Sequence, residues 1–177
     1  MAKKKLSRDQ KRQQKKQKQA RRQQALLDPG QRIMNRLEKA GLGPHKVMRN
    51  PPGMVKMSEV LRDFLEPYWH IPDTEEAMRK LITTALVAWN TALLPQEEHA
   101  DRLEEFATTL PEEVRADLNA IVEEMIERKN KYFAEYDRLI MDYELVDRGD
   151  DYHITVMSWI PAAEMGKEGL NDLADHP

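Results

Sequence analysis

Apolar residues follow two periods along the chain, three- to four-residue steps up to about Phe133 and alternation beyond Leu139. Val60, Leu61, Phe64 and Leu65 mark a helix that Ser58 can open, its hydroxyl accepting a bond from an orphan backbone N–H. Pro67 ends or kinks that helix, because its ring clashes with the preceding turn. Asp73 or Thr74 caps the next helix, where Glu75 and Glu76 favour the positive end of the dipole. Its stripe of Leu81, Ile82, Ala85, Leu86, Trp89, Ala92 and Leu93 runs to about Leu94 and predicts the central core helix. Pro95 restarts the chain into a third helix using Ala100, Leu103, Phe106 and Ala107. Pro111, suited to a first turn, opens a fourth that directs Val114, Leu118, Ile121, Val122, Met125 and Ile126 inward. Tyr132, Phe133 and Tyr136 close it, at the junction onto the alternating segment.

There the period shortens to two. Leu139, Met141, Tyr143 and Leu145 alternate with more polar positions, as do Tyr152, Ile154, Val156 and Ile160. Between them Asp147-Arg148-Gly149-Asp150-Asp151 is a turn signal, so the segment reads as a β-hairpin. A hairpin alone is marginal in water and has to pack on the helices. Upstream, Ile33, Met34 and Leu37 predict a short helix over 31–40 with Gly41 past its end. Residues 41–56 form a loop around Gly43-Pro44 and Pro51-Pro52-Gly53. The expected fold class is therefore α+β and mainly helical: a small bundle of about four helices with a C-terminal β-hairpin, preceded by a basic arm.

Composition adds boundaries. Residues 58–160 hold 27 Leu, Ile, Val and Phe among 103, whereas the other 74 residues hold ten, too few to support a core. The expected division is a Lys/Arg/Gln-rich arm over 1–27, a short helix plus Pro/Gly loop over 28–57, a folded acidic domain over 58–160, and an acidic tail over 161–177. Charge sharpens it. The whole chain carries a formal −3, but residues 1–56 contain 17 basic and three acidic residues, a net +14, and residues 57–177 contain 11 basic and 28 acidic, a net −17.

Eleven cations crowd the first 24 residues: Lys3, Lys4, Lys5, Arg8, Lys11, Arg12, Lys15, Lys16, Lys18, Arg21 and Arg22. Lys4, Arg8, Lys11, Lys15, Lys18 and Arg22 share one helical face, so like charges stack and oppose the helix until a polyanion neutralises them. Such an element suits phosphate backbone, with counterion release as the driving force. No aromatic residue precedes Phe64, so the leader lacks a stacking platform and should not read sequence. RNA or the ribosome is expected before DNA. The competing reading is an arm that docks on the chain's own acidic surface or on a partner's. An anionic membrane fits less well, because Leu6 alone supplies no second anchoring signal.

Other chemistry is poorly represented. No cysteine is present, which removes disulfides, thiolate metal ligands and a cysteine nucleophile, and is compatible with a reducing compartment. His45, His70, His99, His153 and His176 are scattered, and the acidic pairs from Glu75/Glu76 to Asp150/Asp151 read by default as solvated positions, most of them in first turns or on polar faces. No phosphate loop, nucleophile elbow or dinucleotide fingerprint occurs. Arg148-Gly149-Asp150 reads as a hairpin turn and not as an adhesion tripeptide. Tyr68, Trp69, Trp89 and Trp159 read as core or partner surface ahead of a ligand pocket. No catalytic residue, cofactor or metal is expected, and no membrane span or secretory signal.

The leader, Lys3-Lys4-Lys5-Leu6-Ser7-Arg8-Asp9-Gln10-Lys11-Arg12, resembles the basic N-terminal leaders of uncharacterised bacterial proteins. The resemblance implies a bacterial cytoplasmic protein and brings no activity or residue role. The expectation is a non-enzymatic accessory that engages RNA, ribosome or DNA backbone through its arm. Its acidic domain is left as a protein-interaction module, and an oligomer is compatible with this.

Overall fold

The computed structural model describes residues 28–42, 54–109, 111–149 and 151–159. The arm over 1–27, the tail over 161–177, most of the Pro/Gly loop and Ile160 lie outside the described residues. The chain divides into two compact units, Met1–Pro44 and His45–Pro177.

In the first unit, α1 spans Pro29–Lys39. It begins before the expected residue 31 because Asp28 caps it, its carboxylate accepting bonds from Gly30 N (2.9 Å) and Gln31 N (3.3 Å). Pro29 then takes the first helical position, where its missing N–H costs nothing. The helix closes as expected at Gly41, whose φ of 72° lets Leu42 N reach Leu37 O at 2.9 Å and Gly41 N reach Glu38 O at 3.0 Å. Ile33 and Leu37, one turn apart, are its buried positions.

The second unit holds the other elements. Helix α2 spans Met57–Leu65, and Ser58 is not its cap. Lys56 precedes the first turn without a side-chain cap bond, because Met57 is itself helical and buried with Val60, Leu61 and Phe64. Burying Met57 extends the i, i+3, i+4, i+7 stripe by one residue, and that outweighs the serine cap. Pro67 stops the α-helix as expected, and Glu66–Tyr68 continue as a 3₁₀ turn. Helix α3, Glu75–Thr91, is capped by Thr74, whose Oγ1 accepts from Ala77 N at 3.1 Å. It stops at Thr91, three residues short of Leu94, and Pro95 disfavours helical geometry for the residue just before it. A 3₁₀ turn over Gln96–Glu98 leads into α4, His99–Thr108, which buries Leu103, Phe106 and Ala107 only partly and leaves Ala100 exposed.

Helix α5 spans Glu112–Tyr132. Val122, Met125, Ile126 and Lys129 face inward, and this phase puts Ile121 outside at 41% exposure, contrary to expectation. A stripe stepping 122, 125, 126, 129 has no room for a residue 100° away. Strands β1 (Ile140–Asp147) and β2 (Tyr152–Ser158) pair antiparallel, with Tyr143 opposite Val156 and Leu145 opposite Ile154. The simple alternation from Leu139 fails in the first strand. An irregularity between Ile140 and Asp142 resets the phase, so Ile140 and Leu145 are buried and Leu139 is exposed. Gly149, at φ 89°, makes the turn, and its N–H bonds Asp147 Oδ1 at 2.7 Å.

The core lies where α2, α3, α5 and the hairpin converge. At its centre Phe64, Trp89 and Phe133 meet edge to face, with centroids 5.4, 5.5 and 6.1 Å apart. Each such pair contributes roughly 0.5–1.5 kcal/mol beyond burial. Two side chains on α3 tie it to the chain after α5. Trp89 Nε1 donates to Arg138 O at 3.0 Å. Asn90 brackets Ile140, donating to its carbonyl at 2.8 Å and accepting from its N–H at 2.9 Å. The fold is α+β, mainly helical, with a two-stranded C-terminal hairpin, and α3 is its central helix.

Candidate functional site

The eleven leader cations, Lys3 to Arg22, lie outside the described residues. What the described residues add is the distribution of charge on the second unit. Several of its cations pair with carboxylates: Lys56 with Glu59, Arg62 with Asp151, Arg79 with Glu75, Lys80 with Glu76 and Arg102 with Glu105. All but the Arg62 pair are i,i+3 or i,i+4 neighbours, as expected for a solvated helical face. Lys80 also holds the exposed Glu76 carboxyl below its usual range.

The Arg62 pair joins distant segments. Arg62 on α2 donates to Asp151, beside the hairpin turn, at 2.7 Å, and its guanidinium lies 5.2 Å from the Trp69 ring. The Arg62 hydrogen bond is the main reason the Asp151 carboxyl sits below its ordinary value, and Trp69 adds a further hydrogen bond. Beside this cluster Arg62, Asp63, Glu66, Trp69 and His70 line an open cavity of about 210 Å³. Its cation is already paired, so the arrangement pins the hairpin tip to the helix. Among the described residues no three His, Asp or Glu converge to hold a metal. His99 meets Leu94 O at 3.1 Å, and His70 and His153 are exposed.

A second cluster closes the C-terminal end of α5. Arg128 Nε donates to Phe64 O at 3.0 Å and Nη2 to Asp63 O at 3.2 Å, satisfying carbonyls at the end of α2. The same guanidinium lies 5.5 Å from both the Tyr132 and the Phe133 rings. Lys129 is buried at 2% exposure with its ammonium 4.8 Å from the Trp89 centroid. Burial pushes its pKa down, and the Glu135 and Asp137 carboxylates oppose that shift. Lys131 reaches Tyr132, 4.9 Å from the ring centroid, and its hydrogen bond holds the phenol below the usual tyrosine value. Nearby, Tyr68 donates to Glu124 at 2.7 Å. Desolvation first, and then that bond, raise its pKa to about 12.

The aromatic residues singled out in the sequence are thus dispersed. Trp89 and Phe133 are core, Trp69 belongs to the Arg62 cluster, and Trp159 is exposed. Tyr132 departs from the junction role expected of it. Phe133 and Tyr136 pack together at 6.4 Å, whereas Tyr132 points to solvent with cations around it. The signal for this cluster was legible as Arg128-Lys129-Asn130-Lys131, a cationic run in a Glu-rich helix. Its phase relative to the core was not. Among the described residues no helix is long and apolar enough to cross a membrane. In comparisons with protein-family models, curated proteins and solved structures, nothing matches this chain.

Proposed function

We propose that this chain is a non-enzymatic cytoplasmic accessory protein that binds nucleic-acid backbone through Lys3, Lys4, Lys5, Arg8, Lys11, Arg12, Lys15, Lys16, Lys18, Arg21 and Arg22. RNA or the ribosome is the expected polyanion ahead of DNA. The observation that carries this reading is the separation of +14 over residues 1–56 from −17 over residues 57–177. A polyanion attracts the first segment and repels most of the second, which leaves the acidic unit oriented toward a protein partner.

The test is salt dependence. With about six phosphates contacted on a duplex, log affinity should fall against log salt with a slope near −5. A full-length chain with the eleven leader cations changed to Gln should lose nearly all affinity. Unchanged binding by that variant would sink the reading. The second reading, an assembly protein whose basic segment docks on an acidic surface, rests on the same charge division.

A further inference from the structure

Arg128, Lys129 and Lys131 differ from the carboxylate-paired cations of the same unit. Among the described residues no carboxylate lies within ion-pair distance of any of them, and each instead meets an aromatic ring, at 4.8 to 5.5 Å. Arg128 and Lys131 flank the buried Lys129, so two accessible cations without an ion-paired carboxylate stand within four residues of a segment that is net −17 with them included. Tyr132 stands in it, 56% exposed. The neighbouring Phe133 is taken up by the core, so the exposed phenol is not needed to hold the helix.

We propose that Tyr132, Arg128 and Lys131 form a docking site for single-stranded nucleic acid, in which the phenol ring stacks on one base and the two cations meet the flanking phosphates. The site rests on the nucleic-acid reading above and supplies what the leader lacks, an aromatic platform. Single strands are favoured over duplex because their bases offer free π-faces, which a duplex keeps stacked. Arg128 is pre-organised for this. Its bonds to Asp63 O and Phe64 O already fix the guanidinium, so little side-chain freedom is lost on binding. Lys129, buried with its ammonium 4.8 Å from the Trp89 centroid, is left out of the contact.

The experiment compares the full-length chain with Tyr132→Ala, Tyr132→Phe and Lys131→Gln on three probes: a short single-stranded RNA, an abasic strand of the same length, and a duplex. Stacking of one base is worth about 1–3 kcal/mol, so Tyr132→Ala should weaken single-strand binding by roughly 5- to 150-fold. The abasic strand and the duplex should bind it as they bind wild type, and Tyr132→Phe should keep the affinity. Lys131→Gln should flatten the single-strand salt slope by about 0.7, a readout that does not depend on how Tyr132→Ala folds. Wild-type affinity of Tyr132→Ala for the single strand would overturn the site. So would an equal loss on the abasic strand, which would point to a plain anion or a phosphorylated protein as the ligand. The Gln-substituted leader separates the two readings. If it loses binding while Tyr132→Ala does not, the leader reading stands and the Tyr132 site falls. If it binds as wild type while Tyr132→Ala is impaired, the site stands and the leader falls.

Discussion

Lys129 shows how a single residue carries opposing terms. Its four-carbon stem fills space beside Trp89, and its ammonium gains the ring's negative face, but burial disfavours the charge. The depressed pKa means that between the folded value and the ordinary 10.5 the unfolded chain binds more protons than the folded one. Stability from this group therefore rises with pH across that window, the reverse of a lysine that gains a carboxylate partner. Lys129→Met keeps the stem and removes the charge. It should stabilise the protein by about 1 kcal/mol at neutral pH, the removed desolvation cost exceeding the lost cation–π term. The advantage should shrink as pH approaches 10.5, and urea unfolding at the two pH values reads both. Destabilisation at neutral pH would mean that the ring interaction outweighs burial. Nothing in the sequence distinguishes Lys129 from Lys131, two residues away; only the inward phase of α5 separates a buried cation from an exposed one.

Between elements, the decisive bonds come from side chains that read as ordinary surface in the sequence. Asn90 interrupts the apolar stripe of α3, yet its amide satisfies both backbone groups of Ile140. It acts as a short length of partner strand at the start of β1, whose other neighbour is β2. Asn90→Ala leaves two part-buried backbone groups without their partner and should cost about 2–3 kcal/mol. Amide exchange at Ile140 should accelerate more than exchange at Val156 in the facing strand. Equal acceleration of both would indicate global loosening and not a local role for the amide. The irregularity near Met141 belongs to the same scale. Alternation over 139–145 is a property of local sequence, but which parity faces the core depends on Trp89 and Asn90 holding Arg138 and Ile140. The helices were easier to read, because their apolar stripes repeat over several turns and tolerate an error of one residue at an end, as at Met57.

For the whole molecule, charge is the governing quantity. A free basic arm and an arm docked on the acidic unit differ in their response to salt, since screening at about 8 Å in physiological salt weakens exposed pairs. Under the proposed function, small-angle scattering of the unliganded chain should show a radius of gyration nearly constant from low to high salt. Expansion with salt would instead support docking of the +14 segment on the −17 segment within one chain. Expansion with a halved mass would support docking between chains. The Arg62–Asp151 pair and its Trp69 neighbour are too local to produce either result.

By itself the amino-acid sequence determined the class of fold, the order of the helices, the hairpin, the absence of thiol chemistry and the division into +14 and −17 segments. These stem from composition and from periodicity over many residues, which are additive properties of the chain. The tertiary structure alone decided which of several similar residues meet. It set Lys129 inside and Tyr132 outside, Ile140 in the core and Leu139 out, and Arg128 against the end of α2. Those choices turn on rotations of about 100° around a helix or one residue along a strand, and only simultaneous packing of distant elements resolves differences that small.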